Sequence, residues 1–358
     1  MPLILDSGAF CVFSRGETIE LNEYIKFCIE HPKCSYYVNL DKMPGKKGAI
    51  NKALTTQDFN EAAEVSWNNL KNLSQYIPKE KIITVFHQGE DFEYLNRMLD
   101  NNYSYIGLGF AVYRQASQTN KIAWLMQCKS ILDKYKIFPK VHGFGITSLP
   151  VLQSFPWHSV DSAAWIHEAN CGNIFVPAQA RGEFDFTQAP YLLAVSDTNP
   201  ITSGRNLTWS DMTPNFAQGV KDWICKNQMP IGTWTQKTVT EGYKLKRGKE
   251  RWWNPYPKLV NKGKGFGILD IPEAKRRVII IKEKGIRTDD QFRKQLNARY
   301  LFKINESLSI DYLYLAGLVG KNSKHICPEI PNRLLSYAHI RNRKEAQDSL
   351  AWHMEHTK

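Results

Sequence analysis

The sequence predicts an α/β protein, with a (β/α) barrel as the first architecture and a doubly wound sheet as the second. Three observations predict it. Short apolar runs bounded by turn residues recur through the first 180 residues. Helical periodicity fills the gaps, at repeat intervals of about 25–45 residues, the spacing of βαβ units around a parallel sheet. No apolar run approaches the 18 residues of a membrane-spanning helix.

Taken in order, the strand candidates are 3–6 (LILD), 35–41 (SYYVNLD), 81–88 (KIITVFHQ), 103–109 (YSYIGLG), 140–146 (KVHGFGI) and 158–165 (HSVDSAAW). Residues 57–73 and 118–135 space their apolar positions at three and four, as amphipathic helices do. Gln57–Asp58 and Asn60–Glu61 supply polar residues for the first turn of the earlier helix. From about residue 183 the pattern changes. Residues 186–260 are rich in Pro, Trp, Thr and Asn and read as long loops, or an inserted element, with few helices. A late strand is expected near Val278–Ile281, a helix over 289–318, and a further helix over 341–358. The expected division is a barrel core over 1–183, the remainder of the barrel with long loops and a basic stretch over 184–303, and a helical tail over 304–358.

The chain has 358 residues, 42% hydrophobic and 12% aromatic, enough to bury a sizeable core. Its net charge is +12, and residues 242–303 alone hold 18 Lys/Arg against 6 Asp/Glu. The remaining chain is therefore balanced. Localised positive charge interleaved with aromatics is the footprint of a polyanion-binding surface, nucleic acid before any other. The candidate phosphate- and base-binding residues are Lys244, Lys246, Arg247, Arg251, Trp252, Trp253, Lys275, Arg276 and Arg277. The bland alternative is a solvated basic surface with its aromatics turned into a core. Seven cysteines, an odd number, suggest reduced thiols, and MPLILDSGAFCVF has no basic leader and contains Asp6. A cytoplasmic protein without membrane attachment is expected. Cys28-x2-His31-x2-Cys34 lacks a second ligand pair and is interrupted by Pro32, and a distant completion by His325 and Cys327 is not demanded by anything in the sequence. No structural zinc and no other cofactor is expected.

Chemistry in a parallel barrel sits at the C-terminal ends of strands. Here those ends carry Asp6-Ser7-Gly8, Asp41, Gln88-Gly89-Glu90, Gly107-Leu108-Gly109, His142-Gly143-Phe144-Gly145 and Asp161-Ser162. Each alone reads as a turn, a cap or a close backbone approach. His87 and His142 adjoin apolar strand residues and are expected to be packed or hydrogen-bonded rather than metal-bound. GLG and GFG fall short of a full GxGxxG, so a dinucleotide site is not indicated. Jointly, six strand ends form a polar ring.

DSGAF at 6–10, LDKMP at 40–44, HQGE at 87–90, GLGF at 107–110, HGFG at 142–145 and VDSAAW at 160–165 occur in an order that resembles the tRNA-guanine transglycosylase superfamily. The last motif, followed by CGNIFVP, is closer to the phage and bacterial DpdA-like branch that places 7-deazaguanines in DNA. The resemblance spans about half the chain. It implies a (β/α)8 TIM-like barrel, here with a basic, partly helical C-terminal extension. It also implies a glycosyltransferase that exchanges guanine in DNA for a 7-deazaguanine such as preQ0 or preQ1, through a covalent glycosyl-aspartate. By that resemblance Asp161 is the nucleophile and Asp6 the general acid/base. Asp41, Gln88 and the Gly107–Leu108 backbone would read the base, with Ser7 and Gly143 lining its pocket. The tRNA-modifying relatives carry a CxCxxC zinc site, which this chain lacks. Exchange on tRNA is the alternative activity, and non-catalytic nucleic-acid binding the alternative of another class. Residues 110–114 (FAVYR) offer no carboxylate to meet an ammonium, which leans the expectation towards preQ0.

Overall fold

The computed structural model describes residues 3–10, 13, 16–45, 54–110, 117–180, 182–196, 207–208, 212–240, 242–252, 260–261, 266–267, 277–308, 310, 312–317 and 335–338. The fold is mixed α/β. Its chain forms two compact units, residues 1–163 with 308–358, and residues 164–307.

The first unit is built on a curled parallel sheet. Strands β1 (Ile4–Leu5), β2 (Tyr36–Val38), β3 (Ile82–His87), β4 (Tyr105–Gly109), β5 (Lys140–Phe144) and β6 (Ser159–Ser162) neighbour one another in chain order. Each adjacent pair is parallel. Helices α1 (Leu21–Glu30), α2 (Thr56–Leu73), α3 (Phe92–Asp100), α4 (Gln118–Leu132) and α5 (Leu149–Gln153) form the crossovers. Parallel neighbours require such a crossover because the chain must return to the same edge before pairing again.

Burial of both faces explains the apolar runs of these strands. Ile4, Val38, Ile83, Val85 and Tyr105 form an interior cluster, with Tyr36 and Phe144 packed against it. The alternate residues face the helices; Phe86 stacks on Trp124 of α4 at 5.7 Å between ring centroids. Because side chains alternate along a strand, the interior row continues from Ile4 to Asp6, from Val85 to His87, and from Ser159 to Asp161. Helix α2 begins at Thr55, whose hydroxyl accepts from the Asp58 amide while Asp58 accepts from the Thr55 amide, a reciprocal capping box. That cap fixes the helix start within a residue of its expected position.

Residues 164–307 contain α6 (Ala164–Asn170), β7 (Asn173–Val176), β8 (Ala178–Ala180), β9 (Glu183–Asp185), β10 (Tyr191–Ala194), β11 (Leu207–Thr208) and α7 (Pro214–Lys226). They continue through β12 (Thr233–Thr238), β13 (Glu250–Trp252), β14 (Val260–Asn261), β15 (Phe266–Gly267), β16 (Arg277–Glu283) and α8 (Asp290–Leu308). The sheets here are small, ordered β11-β10-β7 and β12-β16-β13, with the hairpins β8-β9 and β14-β15. Among the described residues none of these strands joins the parallel sheet, so the region expected to supply the remainder of a barrel is a unit of its own. The unit boundaries fall at 163/164 and 307/308, against the sequence-based divisions at 183/184 and 303/304. Thr213 caps α7, accepting from the Phe216 amide ahead of Pro214 in the first turn. This helix lies inside the stretch read as loops.

Two further strands, β17 (Tyr312–Gly317) and β18 (Leu335–Ala338), correct the expectation of a helix to 318 and a helical tail from 304. β17 pairs in parallel with β6 and with β18, and β18 pairs in parallel with β1. A short apolar segment takes whichever structure its partners offer, and here the partners are strand edges. The expected helix at 341–358 lies outside the described residues.

The core of the second unit depends on buried polar side chains that complete the backbone. Asn297 of α8 is fully buried; its carbonyl accepts from the Phe175 amide at 2.8 Å, and its amide donates to the Asn173 and Trp165 carbonyls at 3.2 and 3.3 Å. Arg293, also buried, donates to the Ala169 and Ile286 carbonyls. Replacing Asn297 by Leu keeps the branched shape but removes the bonds to the Phe175 amide and to the Asn173 and Trp165 carbonyls. It is expected to lower the free energy of unfolding by about 1–3 kcal/mol, measured by urea denaturation; an unchanged midpoint would mean the clamp is dispensable.

Candidate active site and nucleic-acid interface

At the C-terminal ends of β2 and β3 three ionisable groups meet. His87 Nε2 lies 2.7 Å from Asp41 Oδ2, and the His87 amide donates to Glu90 Oε2 at 3.1 Å. All three are held out of water. Burial pushes the His87 imidazole down, but the hydrogen bond and charge of Asp41, with the charge of Glu90, outweigh it and raise the ring above its ordinary value. Burial pushes the Glu90 carboxyl up to about 7, against the opposing effect of His87. His87 Nδ1 and Glu90 Oε1 are buried without a hydrogen-bond partner.

A second constellation sits on β5 and β6. Asp161 Oδ1 accepts from the Gly145 amide at 2.6 Å and lies 3.6 Å from His142 Nε2. His142 Nδ1 is 2.6 Å from Ser159 Oγ, which is 2.6 Å from the Tyr105 hydroxyl. Tyr105, Ser159 and His142 thus form one hydrogen-bonded chain that ends with Nε2 towards Asp161. Both histidines are thus packed and hydrogen-bonded, as their neighbours in sequence suggested. Gly145 adopts φ +65°, a conformation open to glycine, and this presents its amide to the carboxylate.

The other expected residues divide. Asp6 is half-buried and extends the interior row of β1. Ser7 is buried, and its hydroxyl accepts from the Ala9 amide at 3.4 Å, a turn next to Gly8 at φ +73°. Gln88 turns from the His87 knot, donating its amide to the Asn120 carbonyl of α4 at 3.3 Å. Gly107 and Leu108 are registered on both sides, against β3 and β5, so their backbone belongs to the sheet. A Cβ at Gly107 would meet the Phe144 ring at 2.3 Å, and one at Gly143 would meet Ile146 at 2.3 Å. Gly109, to which the sequence assigns no role, makes room for His87: a Cβ there would lie 2.7 Å from Nδ1. Glu90, Ser159 and Tyr105 were also given no role. The adjacency of His87 and Glu90 in HQGE was the available signal for the first. The others are distant partners that periodicity does not reveal. Residues 111–114 lie outside the described residues.

The described part of the basic stretch includes the loop between β12 and β13, β13 itself and β16. Lys244, Lys246, Arg247 and Arg251 are exposed, as are Arg277 at the start of β16 and Trp252, at 36%. Trp253, Lys275 and Arg276 lie outside the described residues. One buried acid organises the loop between β12 and β13. Glu250 accepts from the Lys246 amide at 2.9 Å, from Lys237 Nζ at 3.0 Å and from the Tyr243 hydroxyl at 3.0 Å. These donors, the Lys246 amide first, hold its carboxyl down at about 2.

Burial pushes the Cys28 and Cys34 thiols up to about 12, so both are neutral, and His31 Nδ1 meets the Phe27 carbonyl at 2.7 Å. No group of three or more His, Cys, Asp or Glu among the described residues is arranged to hold a metal ion. His325 and Cys327 lie outside them. No helix among the described residues is long and apolar enough to cross a membrane.

Glu90 and Glu250 are treated in opposite ways by their surroundings, and stability should depend on pH accordingly. Glu90 has a raised carboxyl, so the folded state binds its proton more tightly and stability falls as pH rises from about 4.5 to about 7. Glu90→Gln should therefore be more stable than the parent at pH 8, with the advantage vanishing near pH 4, as read from thermal midpoints. Glu250 is depressed, so its contribution is present above about 4.5 and is lost as pH falls towards about 2. Glu250→Gln should lower the melting temperature at pH 7; an unchanged melting temperature would mean that Glu250 does not hold the loop.

No family model matches the chain, and no curated protein does. Among solved structures it is similar to the spore cortex-lytic enzyme SleL of Bacillus megaterium QM B1551, at 10% identity over 94% of this chain and 69% of that one, with a TM-score of 0.26. A likeness of that size carries no argument.

Proposed function

We propose that the protein is a DNA-guanine transglycosylase that exchanges guanine for a 7-deazaguanine base, preQ0 before preQ1, on a (β/α)8 barrel. The parallel pairings of β17 and β18 with β6 and β1 support the eight-strand ring. The observation that carries the function is the setting of Asp161. One oxygen is fixed by a backbone amide at the C-terminal end of a parallel strand, and Oδ2 is left outside that bond.

In this reading Asp161 attacks C1′ of the nucleotide from the face opposite the base. The glycosidic bond breaks, its electron pair leaves with guanine, and Asp6 gives the departing base its proton. The glycosyl-aspartate ester is then opened by the incoming base, whose proton returns to Asp6. Two inversions give net retention, as in glycosidases that use a carboxylate nucleophile. Asp41 faces donor groups of the bound base, and Ser7 holds the turn that presents Asp6. The target nucleotide must be flipped or single-stranded to reach such a site. Lys244, Lys246, Arg247, Arg251 and Arg277 would hold phosphates and Trp252 would stack on a displaced base.

Incorporation of radiolabelled guanine, preQ0 or preQ1 into duplex DNA and bulk tRNA by the purified protein tests this. Label in DNA, abolished to background by Asp161→Asn with DNA binding retained, is the expected result. Label in tRNA alone would move the activity to that substrate, and no label with tight DNA binding would favour a non-catalytic binder. Replacing Lys246, Arg247 and Arg251 by Gln should weaken DNA binding and flatten the slope of log K against log salt by about 0.9 for each phosphate no longer neutralised.

A further inference from the structure

We infer that His87 is a positioning residue, which holds the Asp41 carboxylate in the orientation that receives the base; this rests on the transglycosylase reading of the site. Asp41 follows the end of β2, outside helix and strand, where a free carboxylate would sample several rotamers. His87 removes that freedom. Its Nε2 is 2.7 Å from Asp41 Oδ2, the distance at which a ring N–H donates to a carboxylate oxygen. Oδ1 is left outside the bond, available to a donor on the ligand.

The imidazole is itself fixed at three points. Its backbone amide is taken by Glu90 Oε2 at 3.1 Å. Gly109 across the ladder leaves the space that Nδ1 occupies, since a Cβ there would stand 2.7 Å away. Asp41 holds the far end. The charged groups acting on the ring are Asp41 from the end of β2 and Glu90 from its own strand end. The residue facing it from β4 is a glycine.

Two readouts test the proposal. The first is the imidazole titration of His87 by 15N NMR, assigned among the nine histidines by the signal missing in His87→Gln. Its midpoint should lie above an ordinary histidine in the parent and fall in Asp41→Asn. A midpoint that ignores Asp41→Asn overturns the proposal whatever the exchange assay gives. The second is guanine exchange with kcat and KM separated. His87→Phe should raise KM for the free base about 10- to 100-fold with a smaller change in kcat, the loss expected when a charge-assisted hydrogen bond is removed. His87→Gln, whose side-chain amide can still donate to Asp41, should recover most of it. Equal KM in His87→Phe and the parent overturns the proposal. If His87→Phe fails to fold, the Asp41→Asn titration and the His87→Gln kinetics still decide. A parent that exchanges no base while the titration remains coupled to Asp41 overturns the transglycosylase reading and leaves the hold of His87 on Asp41 standing.

Discussion

A parallel strand covered by helices on one face and by its neighbours' side chains on the other has no water for a polar group until it ends. That constraint shapes everything in the first unit. β3 runs through six buried positions, and its first ionisable side chain is His87, its last residue. Polar side chains deeper in the sheet have partners within it: Ser159 lies between the Tyr105 hydroxyl and His142. The site is therefore a consequence of the sheet's dryness. Acids gather where the strands stop because they have nowhere else to be, and each buried one needs a donor from a strand end, its own or a neighbour's.

This is also why so much of the first unit was legible. A strand buried on both faces is an uninterrupted apolar run, so 81–88 was read for an observed 82–87, and 140–146 for 140–144. The helix over 56–73 was legible because its amphipathic face and its cap agree. Failures came where local pattern is silent. YLYLAG at 312–317 follows a long helix with no strong breaker, and its strand identity comes from pairing with β6, some 150 residues earlier in the chain. Helix α7 did have a local signal, Thr213 followed by Pro214, a capping residue ahead of a proline in the first turn, and composition bias in the surrounding stretch hid it. The Asp41–His87 bond joins residues 46 apart. Strand order would have to be known before the two could be placed together.

The second unit solves a different problem. The loop between β12 and β13 carries exposed cations, and it is held by the buried acid Glu250. A carboxylate that receives a backbone amide, an ammonium and a phenol hydroxyl is strongly stabilised in its ionised form. Exposed lysines and arginines are thereby fixed on a common backbone instead of trailing from a free loop. Preorganised charge loses less conformational freedom on binding a phosphate backbone than charge on a disordered segment does.

The acids of the first unit are sorted by what surrounds them. Asp161 has a backbone amide, a donor that moves no proton and leaves one oxygen to react. Asp41 has an imidazole, a partner that carries its own titratable proton. Glu90 has the His87 amide, but burial outweighs it and pushes its carboxyl up to about 7. In the proposed exchange Asp161 keeps an oxygen with which to attack, while Asp6 carries the proton. Their partners differ because each acid faces a different element: a glycine turn after β5 for Asp161, the imidazole at the end of β3 for Asp41, and the His87 backbone for Glu90.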